Sequence, residues 1–258
     1  MLLELKQVAK TFGGIKAVDG FDMAVEEGEI VGLIGPNGAG KTTVFNLITS
    51  VYKPDSGSIH FNGAPIHQLP PHKVVARGIA RTFQNIRLFN NLSVLDNVKL
   101  ALHDVPTYGF MSAMFGLPSM RRQNQAVIKK AMEFLDLMGL SERAEMRAGG
   151  LPYGLARRLE IARALALSPK LLLLDEPAAG MNPDEIVDLR DLIVRIQRDF
   201  KLTIILIEHR MDLVMAICPR LVVLNFGTKL TEGTQQEVQT NPAVLQAYLG
   251  GDYANVAG

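Results

Sequence analysis

Two stretches of this 258-residue chain carry residue types whose spacing suits polyphosphate chemistry. The first is Gly35-Pro36-Asn37-Gly38-Ala39-Gly40-Lys41-Thr42, with Thr43 directly behind it as a further candidate contact. Glycines admit the backbone angles that turn successive N–H groups inward around an anion. Lys41 brings an ammonium for the outer phosphates, and Thr42 offers a hydroxyl to Mg2+. The segment follows the apolar run Ile30 to Ile34 and precedes an apolar helical pattern, so a helix N-terminus adds positive potential at the same point. A glycine-rich turn that binds nothing is the competing reading, and the motif's strand-to-helix context disfavours it. The second stretch, Leu171-Leu172-Leu173-Leu174-Asp175-Glu176, reads as a buried strand ending in two carboxylates. Ligands of open α/β sheets collect at such strand ends. Asp175 is placed to hold Mg2+ through water, and Glu176 to orient and deprotonate a water that attacks the outermost phosphate. An apolar run followed by Asp-Glu is weak evidence by itself, since many strands end in solvated acids. Upstream of it here stands a phosphate loop, and together they read as a nucleoside triphosphatase.

These groups need a rigid sheet beneath them. Ile30 to Ile34, Leu171 to Leu174 and Thr203 to Ile207 are short apolar runs ahead of turn residues, the pattern of strands buried on both faces of a parallel sheet. A helix is predicted from Pro183: Asn182 caps it, Pro183 suits its first turn, Glu185 completes a capping box, and Ile186, Leu189, Ile193 and Ile196 form one apolar stripe. Leu3 to Val8, Phe21 to Val25, Ser58 to Phe61 and Leu221 to Leu224 read as antiparallel strands, the last leading into Asn225-Phe226-Gly227. Between about residues 87 and 150 no buried-strand run occurs. Val127, Ala131, Leu135 and Met138 keep helical spacing and Gly139 suits a helix stop, so this region reads as an inserted helical subdomain.

Composition narrows the function classes. Apolar residues make up 48% and charged residues 21%, which excludes wholesale disorder. With 27 Lys and Arg against 26 Asp and Glu there is no overall field to draw in nucleic acid, and none is expected as a partner. Cys218 is the single cysteine and cannot form an internal disulfide, and the Met1-Leu2-Leu3-Glu4 start lacks the layout of a secretory signal; both favour the cytosol. The uncharged stretch Val105 to Met120 holds two prolines and two glycines and is too short to span a bilayer.

The sequence resembles the ATP-binding-cassette family along nearly its whole length. That resemblance implies a P-loop NTPase of α/β class, with a RecA-like parallel core, an antiparallel β subdomain and an inserted α-helical subdomain. Residues 1–258 would then form one nucleotide-binding domain, with the core and β subdomain in 1–86 and 156–258 and the helical insert in 87–155. It places Phe12 as an adenine-stacking aromatic, Gln84 in Arg81-Thr82-Phe83-Gln84 as the glutamine that senses metal and attacking water, and His209 after Ile205-Leu206-Ile207-Glu208 as the switch histidine. The family's signature, Leu-Ser-Gly-Gly-Gln, corresponds to Leu151-Pro152-Tyr153-Gly154-Leu155, which retains Leu151 and Gly154. In the family it opens a helix facing the ATP of a second copy, so Tyr153 and Gly154 become candidate contacts to nucleotide in a head-to-tail dimer. Pro152 brings neither a hydroxyl nor an N–H to that contact. Ala178-Ala179-Gly180-Met181-Asn182 occupies the place of the family's Ser-Ala-Leu-Asp loop.

Within the family the likeness is to ATPase subunits of bacterial branched-chain amino acid importers. It is carried by Tyr153-Gly154, Arg157-Arg158-Leu159-Glu160-Ile161-Ala162-Arg163-Ala164, Asp175 to Pro183, Ile207-Glu208-His209 and Ala247-Tyr248-Leu249-Gly250. Urea importers and lipopolysaccharide-exporting cassettes are similar over the same span. The implied partners are transmembrane permease subunits, a second nucleotide-binding subunit, identical or paralogous, and indirectly a solute-binding protein; the implied cofactors are ATP and Mg2+, and the implied location is the cytoplasmic face of the cell membrane. A soluble cassette ATPase and a low-turnover nucleotide-gated scaffold are the competing functions. One copy of the motif set, and a gap of only Lys41 to Leu151, speak against the soluble type. Leu88 and Phe89 stand either in a groove for a permease helix or in the core of the insert.

Overall fold

The computed structural model describes residues 1–102 and 118–254, with side chains described for 1–102 and 122–248. Of the uncharged stretch Val105 to Met120, residues 105–117 lie outside the described residues. Among the described residues, no helix is long and apolar enough to cross a membrane.

A six-stranded sheet carries the chain's chemistry. Its central strands are β3 (Ile30–Ile34), β8 (Thr203–Ile207) and β7 (Leu171–Asp175), flanked by β6 (Ile79–Arg81) and by β9 (Arg220–Asn225) and β10 (Thr228–Thr234), in the order β10-β9-β3-β8-β7-β6. The three predicted buried strands are all there. Alternate residues point to opposite faces, and both faces are covered: Leu172, Leu174, Ile204 and Leu206 join one core cluster, Leu171, Leu173, Ile205 and Ile207 the other. That double burial is why these runs are apolar at every position.

β9 departs from the purely antiparallel reading. It pairs parallel with β3 and antiparallel with β10, so Leu221 to Leu224 belong to the main sheet. Those four residues are fully buried, which a strand with one solvated face would not need. A second sheet is antiparallel, β2-β1-β4-β5, from β1 (Leu3–Phe12), β2 (Ile15–Val25), β4 (Ser56–Phe61) and β5 (Ala64–Pro65). It packs through Leu3, Leu5, Phe21, Ile59 and Phe61 onto the same core cluster as α1 (Lys41–Ile48). α2 (Pro71–Ala76) leads into β6.

On the other face lie α3 (Val94–Leu102), α4 (Pro118–Leu137), α5 (Tyr153–Ala166), α6 (Pro183–Phe200) and α7 (Met211–Ile217), sharing one apolar cluster. The capping box of α6 forms as the sequence predicts: Asn182 Oδ1 accepts from the Glu185 N–H at 2.9 Å, and Glu185 Oε2 accepts from the Asn182 N–H at 3.0 Å. α8 (Gln235–Gln239) and α9 (Pro242–Ala254) end the described chain.

Candidate functional site

Sheet register assembles the site. β6, β7 and β8 run parallel, with Arg81 beside Leu173 and Asp175 beside Ile207. Chain leaving their carboxyl ends therefore brings Gln84, Glu176 and His209 to one edge, although they are far apart in sequence. Gln84 Nε2 donates to Glu176 Oε2 at 2.8 Å, and His209 Nε2 lies 3.1 Å from Glu176 Oε1. All three sequence candidates thus meet on one carboxylate. Glu176 adopts a left-handed backbone, φ 46°, a conformation costing a non-glycine residue about 1–3 kcal/mol. Its N–H is fixed at 2.9 Å to the Ile207 carbonyl, so the neighbouring strand holds it there.

Asp175 stands one residue earlier and is 1% exposed. Its Oδ2 accepts from Arg81 at 2.7 Å, while its buried Oδ1 has no hydrogen-bond partner. Burial pushes the carboxyl above its usual range, against the pull of the Arg81 guanidinium. Arg81 also donates to Asn46 Oδ1 of α1 at 2.6 Å, which ties the strand carrying the carboxylates to the helix behind the phosphate loop.

In that loop, Lys41 is buried and its ammonium donates to the carbonyls of Gly35 at 2.6 Å and Pro36 at 2.9 Å. Burial lowers its affinity for the proton, and the charges of Glu176 and Asp175 act in the opposite sense. Gly40, at φ 106°, cannot carry a side chain: a Cβ would lie 2.3 Å from the Ala17 carbonyl of β2. Loop and antiparallel sheet are thereby in contact. Asn37, Gly38 and Thr42 face outward, Ala39 is buried, and Thr43 is half-buried. Phe12 lies at the end of β1, 40% exposed, with Tyr52 edge-on at 5.0 Å. Burial raises the pKa of the Tyr248 hydroxyl of α9, against the pull of the Gly35 backbone.

The altered signature opens α5. Pro152 sits at the N-cap with no side-chain cap, and Tyr153 is the first helical residue. At Gly154 a Cβ would lie 2.7 Å from Glu185 Oε1, so any side chain there would push the Glu185 carboxylate aside. The signature therefore lies against the N-terminus of α6 and the Ala178 to Asn182 loop.

Several residues of this neighbourhood carry no motif that marks their role. Glu208 is buried, and its carboxylate accepts from Ala178, His209 and Arg210 N–H groups at 2.7, 3.0 and 3.2 Å. It holds the loop after Glu176 and the turn carrying His209 in place. Arg157 and Glu160 form a fully buried ion pair at 2.6 Å on α5. Two opposite charges at i and i+3 on the buried face of a helix were the available signal.

Beside the site, a groove of about 730 Å³ is lined by Val74, Val75, Leu88, Phe89, Leu100 and Leu167 among others. The two candidates differ here. Leu88 packs partly buried against the main core, whereas Phe89 is 50% exposed, with the Arg163 guanidinium 4.9 Å from its ring centre.

Residues 18–179 match the ABC transporter family, and residues 228–254 match the family described as branched-chain amino acid ATP-binding cassette transporter. The chain is 44% identical over 249 residues to a high-affinity branched-chain amino acid transport ATP-binding protein of Pseudomonas aeruginosa, covering 96% of this chain and 98% of that one. It is 34% identical to the lipopolysaccharide export system ATP-binding protein of Escherichia coli K12, over 97% and 98% of the two chains. Among solved structures, a nucleotide-free ATP-binding cassette from an ABC transporter superposes with a TM-score of 0.81 at 30% identity, covering 96% and 98%. A dimeric cassette bound to ADP and phosphate gives 0.76 at 25% identity, covering 90% and 98%.

Proposed function

Because this chain belongs to the ATP-binding-cassette transporter family, we propose that it is the ATP-hydrolysing subunit of a membrane importer for branched-chain amino acids. The observation that carries the catalytic part is Glu176, held between Gln84 and His209 at the carboxyl edge of the parallel sheet. ATP binds with adenine on Phe12 and its phosphates in the cradle of Gly35 to Thr43, where Lys41 exchanges its loop carbonyls for phosphate oxygens. Glu176 takes a proton from a water aligned by Gln84; the water oxygen bonds to the γ-phosphorus, the bridging bond to the β-phosphate breaks, and ADP and phosphate leave. His209 holds the carboxylate at its other oxygen.

The oxygen donors at hand, the Thr42 hydroxyl, the Gln84 side-chain Oε1 and the orphaned Asp175 Oδ1, suit a hard octahedral cation such as Mg2+. When bound, Mg2+ neutralises charge building on the β- and γ-phosphates.

Tyr153, Gly154 and Leu155 present their N–H groups to the γ-phosphate held by a second nucleotide-binding subunit, head to tail. In this reading the 730 Å³ groove accepts a short helix from a permease subunit, with Phe89 as an apolar contact, and the chain works as a peripheral subunit on the cytoplasmic side of the membrane. The cargo rests on the branched-chain importer relatives and on the match at residues 228–254, which together favour it over lipopolysaccharide or urea. The test is reconstitution with the permease subunits in liposomes. ATP turnover should rise when a binding protein loaded with leucine, isoleucine or valine is supplied. Stimulation by urea-loaded protein alone would overturn the cargo, and no turnover in any combination would overturn the ATPase.

A further inference from the structure

Arg157 is 0% exposed and spends its guanidinium on four partners. Nη1 donates to the Phe83 carbonyl at 2.5 Å and to Glu160 Oε2 at 2.6 Å. Nη2 donates to the Gln84 carbonyl at 2.8 Å and to the Tyr153 hydroxyl at 3.0 Å. Glu160 completes the set, its Oε1 accepting from the Phe83 N–H at 3.1 Å and the Arg87 N–H at 3.5 Å.

Two physical facts give this cluster a meaning beyond packing. A buried ion pair is a poor source of stability, since apolar residues of similar volume often serve as well or better. What a planar five-donor fork supplies is direction. Moreover, β6 ends at Arg81, so the backbone of Phe83 and Gln84 has left the sheet ladder and finds its partners on α5 instead. Any shift of α5 is therefore transmitted to the main chain that carries Gln84.

The same helix face reaches in two further directions. At its start, the Tyr153 ring packs beside Gly180, with 3.5 Å between the ring and the place of a Gly180 Cβ. Nearly three turns on, Arg163 donates to the Arg87 carbonyl and lies over Phe89 in the groove. Arg157 is the point where the signature end, the groove end and Gln84 share one rigid group.

We propose that Arg157, fixed by Glu160, is the positioning residue through which the placement of the signature helix sets the orientation of Gln84 on Glu176. The proposal rests on the reading of Gln84 and Glu176 given above. It predicts that loss of the guanidinium fork slows the chemical step while leaving ATP bound.

The experiment is a double-mutant cycle on full-length protein, reading ATP affinity, single-turnover hydrolysis and melting temperature together. Arg157→Lys keeps the charge and loses the fork; Arg157→Met with Glu160→Gln removes both charges, so that no uncompensated ion is left buried. Each is made alone and with Gln84→Ala. The expected result is a single-turnover rate down by about 10- to 100-fold with ATP affinity nearly unchanged, as for misplacement of a reacting geometry. Added to Gln84→Ala, the Arg157 changes should cost almost nothing more, because groups acting as one unit do not add. A fully additive loss, or an Arg157→Lys rate equal to wild type, would overturn the proposal while leaving the assignment of Gln84 standing. A Gln84→Ala enzyme of normal rate would instead remove the assignment of Gln84 itself. Should the doubly neutral variant not fold, Arg157→Lys decides the question alone.

Discussion

Replacing Glu176 by Gln isolates what its carboxylate contributes. In the structure both carboxylate oxygens are taken, Oε2 by Gln84 Nε2 at 2.8 Å and Oε1 by His209 Nε2 at 3.1 Å. A glutamine side chain has one oxygen and one NH2, so one neighbour must change its role. Gln84 can keep donating to the amide oxygen, while His209, by moving its proton to Nδ1, can accept from the new NH2 through Nε2. The amide therefore fits the same place with the same number of hydrogen bonds, and the strained backbone at φ 46°, held by the Ile207 carbonyl, is untouched. What disappears is the proton acceptor. A general base is worth about 100- to 10,000-fold, which at 1.36 kcal/mol per decade is about 2.7–5.4 kcal/mol of barrier. Loss of a negative charge beside the γ-phosphate also favours the closed, ATP-bound dimer. The assay is rapid-quench single-turnover hydrolysis with dimerisation followed by sedimentation in excess ATP. A hydrolysis rate close to wild type with ATP fully bound would refute Glu176 as the base, whatever the dimer does.

Lys41→Ala should weaken ATP binding by roughly 10- to 150-fold, the equivalent of about 1.5–3 kcal/mol for charge-assisted hydrogen bonds, as read by equilibrium dialysis. The groove residues separate by stability: Phe89→Ser should leave the melting temperature unchanged and abolish assembly with permease, whereas Leu88→Ser should lower the melting temperature because Leu88 packs on the core. Cys218 is buried and its thiol is pushed up to about 12, so iodoacetamide at pH 8 should label the unfolded chain and spare the native one. Pro152→Ser should strengthen ATP-dependent dimerisation of Glu176→Gln by at most about 3 kcal/mol if its hydroxyl reaches phosphate; equal dimer affinities would show that the backbone carries the signature's role.

The residues that sit where one backbone path meets one charge were legible. Ile30 to Thr42 announces strand, turn and helix because each local choice agrees with the next, and Leu171 to Glu176 announces a doubly buried strand by its unbroken apolar run. The capping box at Asn182 and Glu185 is equally local. Arg81 and Glu208 were not legible as site residues, because Arg81 meets Asp175 94 positions away and Glu208 meets Ala178 30 positions away; of Arg157 and Glu160 only the pairing at i and i+3 was visible, while the partners Phe83 and Gln84 that give it a role lie 73 to 77 positions away. A charged residue looks solvated until the fold removes the water around it. β9 shows the same limit in the sheet: Leu221 to Leu224 followed by a tight turn fixes the antiparallel partner β10, while the parallel partner β3 comes from far earlier in the chain and leaves no local mark.

The start of α5 explains why a signature stripped of its hydroxyl and amide can still serve. Two other helix starts, those of α6 and α8, use up a donor of their own: Asn182 accepts from the Glu185 N–H, and Thr234 accepts from the Glu237 N–H at 3.4 Å. Pro152 offers no side-chain acceptor, and the first intrahelical bond of α5 runs from Ala156 to the Pro152 carbonyl at 2.9 Å. The N–H groups of Tyr153, Gly154 and Leu155 are thus left for an external anion, at the positive end of a 14-residue helix. A serine at position 152 would bring a hydroxyl near the phosphate, but as an N-cap it would also accept from the Leu155 N–H and withdraw that donor. Proline at the cap therefore gives up one side-chain contact and keeps one more backbone donor, the Leu155 N–H, so that three stay unclaimed instead of two. The expected outcome is weak ATP-dependent dimerisation of the isolated subunit by sedimentation, and tighter pairing once permease subunits hold two copies together and supply the effective concentration that the missing hydroxyl does not.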